Sequence, residues 1–245
     1  MTQADRARRL RRPVGAALDL DAATALTRTG DLWLFRGRKS ADRAIQQFTN
    51  APVNHVGMAV VLDDLPPLLW HAELGRALSD AWTGGRHRGV QLHDLRAAVL
   101  QWGRRYGQRA WLRQLSGPAE PAVTDEREDA LLRTIARLDG TPFPSTARLA
   151  GRWLRGRLPT RRRRDSPDGD SPDGRAPGDD PHGGGTLDSA YCAEVVAVTY
   201  EEMGLLPPDR RPNWYDPGRF WSGDGLTLRD GYALGGEIAV TLPPD

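Results

Sequence analysis

An α+β domain is predicted by two observations. One is a pair of apolar runs at 56–62 and Leu68–Glu73, joined by a turn containing Asp63, Asp64, Pro66 and Pro67, which is the pattern of a β-hairpin. The other is a pair of helical patterns far downstream, at 125–138 and 190–203, where apolar residues return every three or four positions. A small antiparallel sheet packed against helices accommodates both.

The elements follow in order. Gly30-Asp31 turns into the apolar strand 32–35, and Ser40 caps a helix through Phe48 whose Ala41, Ala44, Ile45 and Phe48 share a side. The run at 56–62 is almost wholly apolar, as in a strand buried on both faces. A short strand is predicted at 89–92, a short helix at 93–100 and a further strand at 109–115. Leu131, Leu132, Ile135 and Leu138 mark one face of the helix 125–138, and 147–154 also reads as helical. Asp188 or Ser189 caps the helix 190–203, Gly204 stands where a C-terminal glycine belongs, and Pro207-Pro208 follow. The chain closes with a turn at 213–217, a short helix around 219–221 and a strand at 237–242.

At 245 residues the chain suits one sizeable core. Two segments stand apart from it. Residues 1–20 open with five arginines in twelve positions and read as a basic tail. Residues 157–187 join RRRR at 161–164 to a repeated SPDG with almost nothing apolar. Such a segment has too little to bury to offset its ordering entropy and reads as a disordered insertion. One catalytic domain over 21–245, carrying that insertion, is the expected organisation. Lys39 is the only lysine and the net charge is +2, so the arginine clusters read as solvated charge and nucleic-acid binding is not expected. The single cysteine excludes an intrachain disulfide. No apolar run reaches signal-peptide or membrane-span length, which predicts a cytoplasmic protein with at most peripheral membrane contact.

Cys192 falls in the first turn of a helix, where unpaired backbone N–H groups favour thiolate and so suit a nucleophile. His55 stands at the head of a buried strand and can serve as general base. Gly57, two residues on, allows close approach by another element, here expected to be the Cys192 helix with its first turn beside His55. His71 and Glu73 share a strand face, and either can orient the far nitrogen of His55. The chain lacks close CxxC or HxxxH spacing, so neither a metal nor another cofactor is expected.

GDLWLF at 30–35, NHVGM at 54–58, WHAE at 70–73, GVQL at 89–92 and YCAEVVAVTYEEMGLL at 191–206 occur in an order that resembles the permuted NlpC-type papain-like family. That group is similar to lecithin retinol acyltransferase and its bacterial hydrolase relatives, and there the histidine strands precede the cysteine helix. The resemblance covers near half the chain. It implies a permuted papain-like fold, Cys192 as nucleophile, His55 as base and a polar third residue at WHAE. Many bacterial relatives place Glu directly after the aromatic; this chain has His71 there, as the acyltransferase branch does, and His71 is preferred over Glu73. In some relatives a tyrosine assists the oxyanion, which makes Tyr191 an accessory candidate. The implied activity is a cysteine-dependent hydrolase or acyltransferase, with a small-molecule, lipid or peptide acyl substrate. A catalytically silent binding module and an anionic-surface binder using the arginine clusters are the alternatives.

Overall fold

Strands apolar on both sides need a layer of helices on each face, and that is how the chain folds. The computed structural model describes residues 17–37, 52–142 and 191–244. The expected helices at 40–48 and 147–154, the insertion at 157–187, the arginine runs and the caps Asp188 and Ser189 lie outside them.

The elements are β1 (Leu18–Asp19), α1 (Leu20–Leu26), β2 (Leu32–Arg36), β3 (His55–Val60), β4 (Leu68–Glu73), β5 (Gly89–Asp94), α2 (Leu95–Leu100) and a π-helical turn, Gln101–Arg105. There follow β6 (Arg109–Arg113), β7 (Leu115–Ser116), α3 (Asp125–Leu138), α4 (Cys192–Glu202), three 3₁₀ turns between Pro212 and Asp224, β8 (Ala233–Leu234) and β9 (Ile238–Thr241). Seven strands form one sheet in the order β1-β9-β6-β2-β3-β4-β5. It is antiparallel except where β1 runs parallel to β9. The architecture is therefore mixed α and β, with a largely antiparallel sheet as expected.

Because side chains alternate along a strand, the sheet sorts its residues into two cores. Leu34, Val56, Met58, Trp70 and Leu92 face α3 and α4, in the core that holds Cys192. Trp33, Phe35, Ala59 and Leu69 face α1, α2 and Trp102.

Several boundaries differ from those read in the sequence. Leu18 and Asp19, read as part of the tail, pair with Val240 and Thr241, and Asp19 caps α1 by accepting from Ala22 N at 2.7 Å. Strand β5 runs through His93 to Asp94, whose carboxylate accepts from Ala97 N and starts α2 there. The helix expected to begin at His93 therefore begins two residues later. The strand expected at 109–115 breaks at Gln114, and β7 leaves the main sheet to pair with β8. Gly204 takes the predicted left-handed conformation, with φ +70°.

Asp31 ties the turn before β2 to the rest of the fold. Its carboxylate accepts from Arg28 N at 2.9 Å and Leu115 N at 2.7 Å. Burial raises its pKa from 3.8 to about 6, against the lowering effect of those two amides and of the Arg28 charge. Protonated Asp31 is thus favoured on folding. Its contribution is full below pH 3.8 and is lost as pH rises through about 6. Denaturant titrations of the wild type should show a fall on the order of 3 kcal/mol across that window from this group. Asp31→Asn, which does not titrate, should lack that component.

Candidate functional site

Strands β3 and β4 are in register at Val60–Leu68, Ala59–Leu69 and Met58–Trp70, and their pairing stops there. Toward His55 on one strand and Glu73 on the other, the ladder is split. The first turn of α4 enters at this split. The amide N–H of Val56 is directed at Cys192 Sγ, as are those of Ala193 and of Cys192 itself. The sulfur therefore meets the sheet beside the peptide that joins His55 to Val56.

Gly57 serves a different purpose from the one expected. A Cβ there would lie 2.7 Å from Leu69 Cδ1 and 3.2 Å from His71 Cβ. The glycine admits side chains of β4, on the face away from α4, and the Cys192 helix is admitted by the split instead.

The lowered thiol pKa expected from the helix start is also not found. Burial pushes the Cys192 thiol up to about 11, and the three amides only partly oppose it, while the Asp216 carboxylate raises it further. Cys192 is 5% exposed and rests as a thiol at neutral pH. His55 is held well below the ordinary imidazole value by burial. Both members of the expected pair are therefore neutral.

His55 lies between Phe35 and Trp102, its ring centroid 3.8 Å from the Trp102 ring. From it runs a buried line of hydrogen bonds on one sheet face. His55 Nε2 lies 2.9 Å from His71 Nδ1, His71 Nε2 lies 3.0 Å from His93 Nδ1, and His93 Nε2 lies 3.1 Å from Gln91 Oε1. Residues 71, 91 and 93 meet because β4 and β5 pair His71 with Gln91 and Leu69 with His93. Of the two expected orienting groups, His71 is the one bonded to His55.

The end of the line sets the direction of every proton in it. Gln91 Nε2 donates to Gly89 O at 3.4 Å, so its Oε1 faces His93 and can only accept. His93 must then donate from Nε2 and, being neutral, accept at Nδ1; burial lowers its pKa to about 4. His71 must donate from Nε2 and accept at Nδ1, and His55 must donate from Nε2. The lone pair of His55 is thereby left on Nδ1; among the described residues no hydrogen bond joins that nitrogen to Cys192 Sγ. Neither Gln91 nor His93 was a sequence candidate. The signal was there in the alternation of Val90, Gln91, Leu92 and His93, and in Asp94 as a helix cap.

Glu73 Oε2 stands 3.6 Å from His93 Nδ1. Burial raises the Glu73 pKa, and nearby Trp102, Gln101 and Arg105 only partly counter it. The Trp102 and Gln101 side chains are directed at the carboxylate, although Glu73 Oε1 makes no well-formed hydrogen bond among the described residues. The donor atoms of His71, Glu73 and His93 all lie within 4.8 Å of one another. Local spacing did not reveal this cluster because its members converge across two strands.

Tyr191 precedes α4 at the N-cap position, and its hydroxyl is directed at Tyr215 O (2.6 Å) and Asn213 O (3.0 Å). It anchors the turn that follows α4.

No protein-family model matches the chain, and no curated protein does. Among solved structures, one similarity is to the metalloprotein yiiX of Escherichia coli O157:H7, DUF1105. The identity is 20% and the TM-score 0.42, over 72% of this chain and 66% of that one. The chain spans just under two thirds of that protein, and a likeness at this level assigns neither fold nor function. No helix among the described residues is long and apolar enough to cross a membrane.

Proposed function

We propose that the chain is a cysteine-dependent hydrolase or acyltransferase of the permuted papain-like kind, with Cys192 as nucleophile, His55 as base and His71 as the group that orients it. The observation that carries this reading is the line of side chains from His55 through His71 and His93 to Gln91. Its polarity leaves the His55 Nδ1 lone pair unprotonated. The order of the histidine strands and the cysteine helix, and their meeting at the split between β3 and β4, fit the resemblance to the NlpC-type family.

The chemistry follows from a neutral pair. As Sγ attacks an ester or amide carbonyl, its proton passes to His55 Nδ1. The resulting imidazolium is stabilised through its Nε2–H donation to His71. The Cys192 backbone N–H, at the helix start, is the donor for the oxyanion. Collapse of the tetrahedral adduct expels the alcohol or amine, which takes the proton from His55, and leaves a thioester on Cys192. Water or an acceptor amine then gives a proton to His55 and attacks the thioester, which restores the thiol. The substrate class is an acyl ester or amide, lipid-linked or peptide.

Intact-mass analysis with p-nitrophenyl esters of graded chain length tests the assignment. One acyl group should be gained at Cys192 with stoichiometric release of nitrophenolate, and Cys192→Ser should gain none. A wild-type protein that stays unmodified with every ester supports a silent binding cleft, a reading favoured by the burial of the sulfur. Iodoacetamide provides a contrast, because simple alkylation follows the thiolate population. Its rate should be low at pH 7 and should climb toward pH 11, since the thiol titrates at about 11.

A further inference from the structure

The cluster at the far end of the histidine line has the makings of a second site. His71 Nε2 and His93 Nδ1 are 3.0 Å apart, and His93 Nδ1 and Glu73 Oε2 are 3.6 Å apart. Ligand atoms held tetrahedrally around zinc at about 2.0–2.1 Å are about 3.3–3.4 Å from one another. The two observed distances straddle that value and all three atoms lie within 4.8 Å of one another, so side-chain shifts would bring them to bonding distance of one ion. Two imidazoles and a carboxylate, with a fourth position left over, form a donor set typical of zinc.

Two further observations point the same way. The nitrogen of each histidine that does not face the cluster already has a hydrogen-bond partner: His71 Nδ1 has His55, and His93 Nε2 has Gln91. This is the outer support that metal-binding histidines ordinarily have. The Glu73 carboxylate, 4% exposed, is approached by the side-chain N–H groups of Trp102 and Gln101, and one of its oxygens falls short of a well-formed hydrogen bond among the described residues, so a cation would offset the cost of its burial.

We infer that His71 Nε2, His93 Nδ1 and the Glu73 carboxylate bind a divalent transition-metal ion of the zinc class, and that the bound ion turns off the base at His55. The first half is independent of the proposed activity, and the second rests on it. A metal on His71 Nε2 occupies that lone pair, so the His71 proton moves to Nδ1 and is donated to His55 Nε2. The His55 proton then sits on Nδ1, and the lone pair that would receive the thiol proton is gone. The three rings keep three protons throughout, and only their positions change. Metal binding and acyl transfer are thereby mutually exclusive.

The full-length protein is stripped with chelator and titrated with Zn²⁺ by calorimetry and with Co²⁺ by visible absorption. One ion per chain is expected, with cobalt bands free of thiolate charge transfer. Glu73→Gln, which keeps the size of the side chain, and His93→Ala should each weaken binding by at least about 10-fold. Cys192→Ser should bind as the wild type does. Absence of binding, affinity unchanged in Glu73→Gln, or loss of the site in Cys192→Ser would overturn the assignment. In a parallel arm, Zn²⁺ should suppress ester acylation of Cys192 in step with occupancy, and chelator should restore it. Acylation unaffected at full occupancy would refute the coupling. A protein that never acylates but binds one zinc through Glu73 and His93 would keep the site and discard the enzyme.

Discussion

His55→Gln is expected to slow acylation of Cys192 by about 10²–10⁴-fold, the usual contribution of a positioned general base. Glutamine fills similar space and can still donate to His71 Nδ1, so the buried line and the packing against Phe35 and Trp102 should survive. What it lacks is a nitrogen that can accept the thiol proton at neutral pH. The loss should be large because Cys192 has no standing thiolate to fall back on, its thiol being pushed up to about 11. Ester kinetics beside a thermal melt separate the two effects. Unchanged stability with lost acylation is the expected pair, whereas equal acylation rates in wild type and variant would remove His55 from the chemistry.

Trp70→Ala should cost about 3–5 kcal/mol of folding stability, the range for emptying a large aromatic site in a core. The Trp70 side chain is fully buried on the face toward α4. Its Nε1 donates to Thr199 Oγ1 at 3.1 Å, and that hydroxyl donates to Val195 O at 2.7 Å. The residue therefore joins β4 to the helix that starts at Cys192, and its neighbour His71 points to the opposite face. Trp70→Phe should cost less, since most of the volume stays and one hydrogen bond worth about 1 kcal/mol is lost. Chemical denaturation of both variants gives the comparison. A Trp70→Ala cost below that of Trp70→Phe would contradict this account of how the helix is held.

The sequence made the hairpin legible because 56–62 and Leu68–Glu73 are apolar runs bounded by turn residues, and β3 and β4 lie within a residue or two of them. Helix α3 was equally plain from its spacing, and α4 from the glycine that ends it. The site was legible in part. His55 and His71 could be singled out, and the strand alternation of 71 and 73 put both on one face. His93 could not, because its role depends on β5 continuing two residues further and on the register that sets Gln91 opposite His71. Trp102 was invisible for a similar reason, since a π-helical turn after α2 swings it beneath His55. The direction of the thiol shift is not legible in the sequence, because the helix-start amides are visible there but the burial that outweighs them depends on the whole fold.

For His55 to act as the proposed base, its neutral ring must carry the proton on Nε2, toward His71, and offer the Nδ1 lone pair to the thiol of Cys192. Nitrogen-15 NMR of the histidine rings in chelator-treated protein at neutral pH reads this directly. Neutral rings are expected for His55, His71 and His93, each with its hydrogen on Nε2. An Nδ1–H tautomer at His55, or an imidazolium there in the resting protein, would contradict the proposed role.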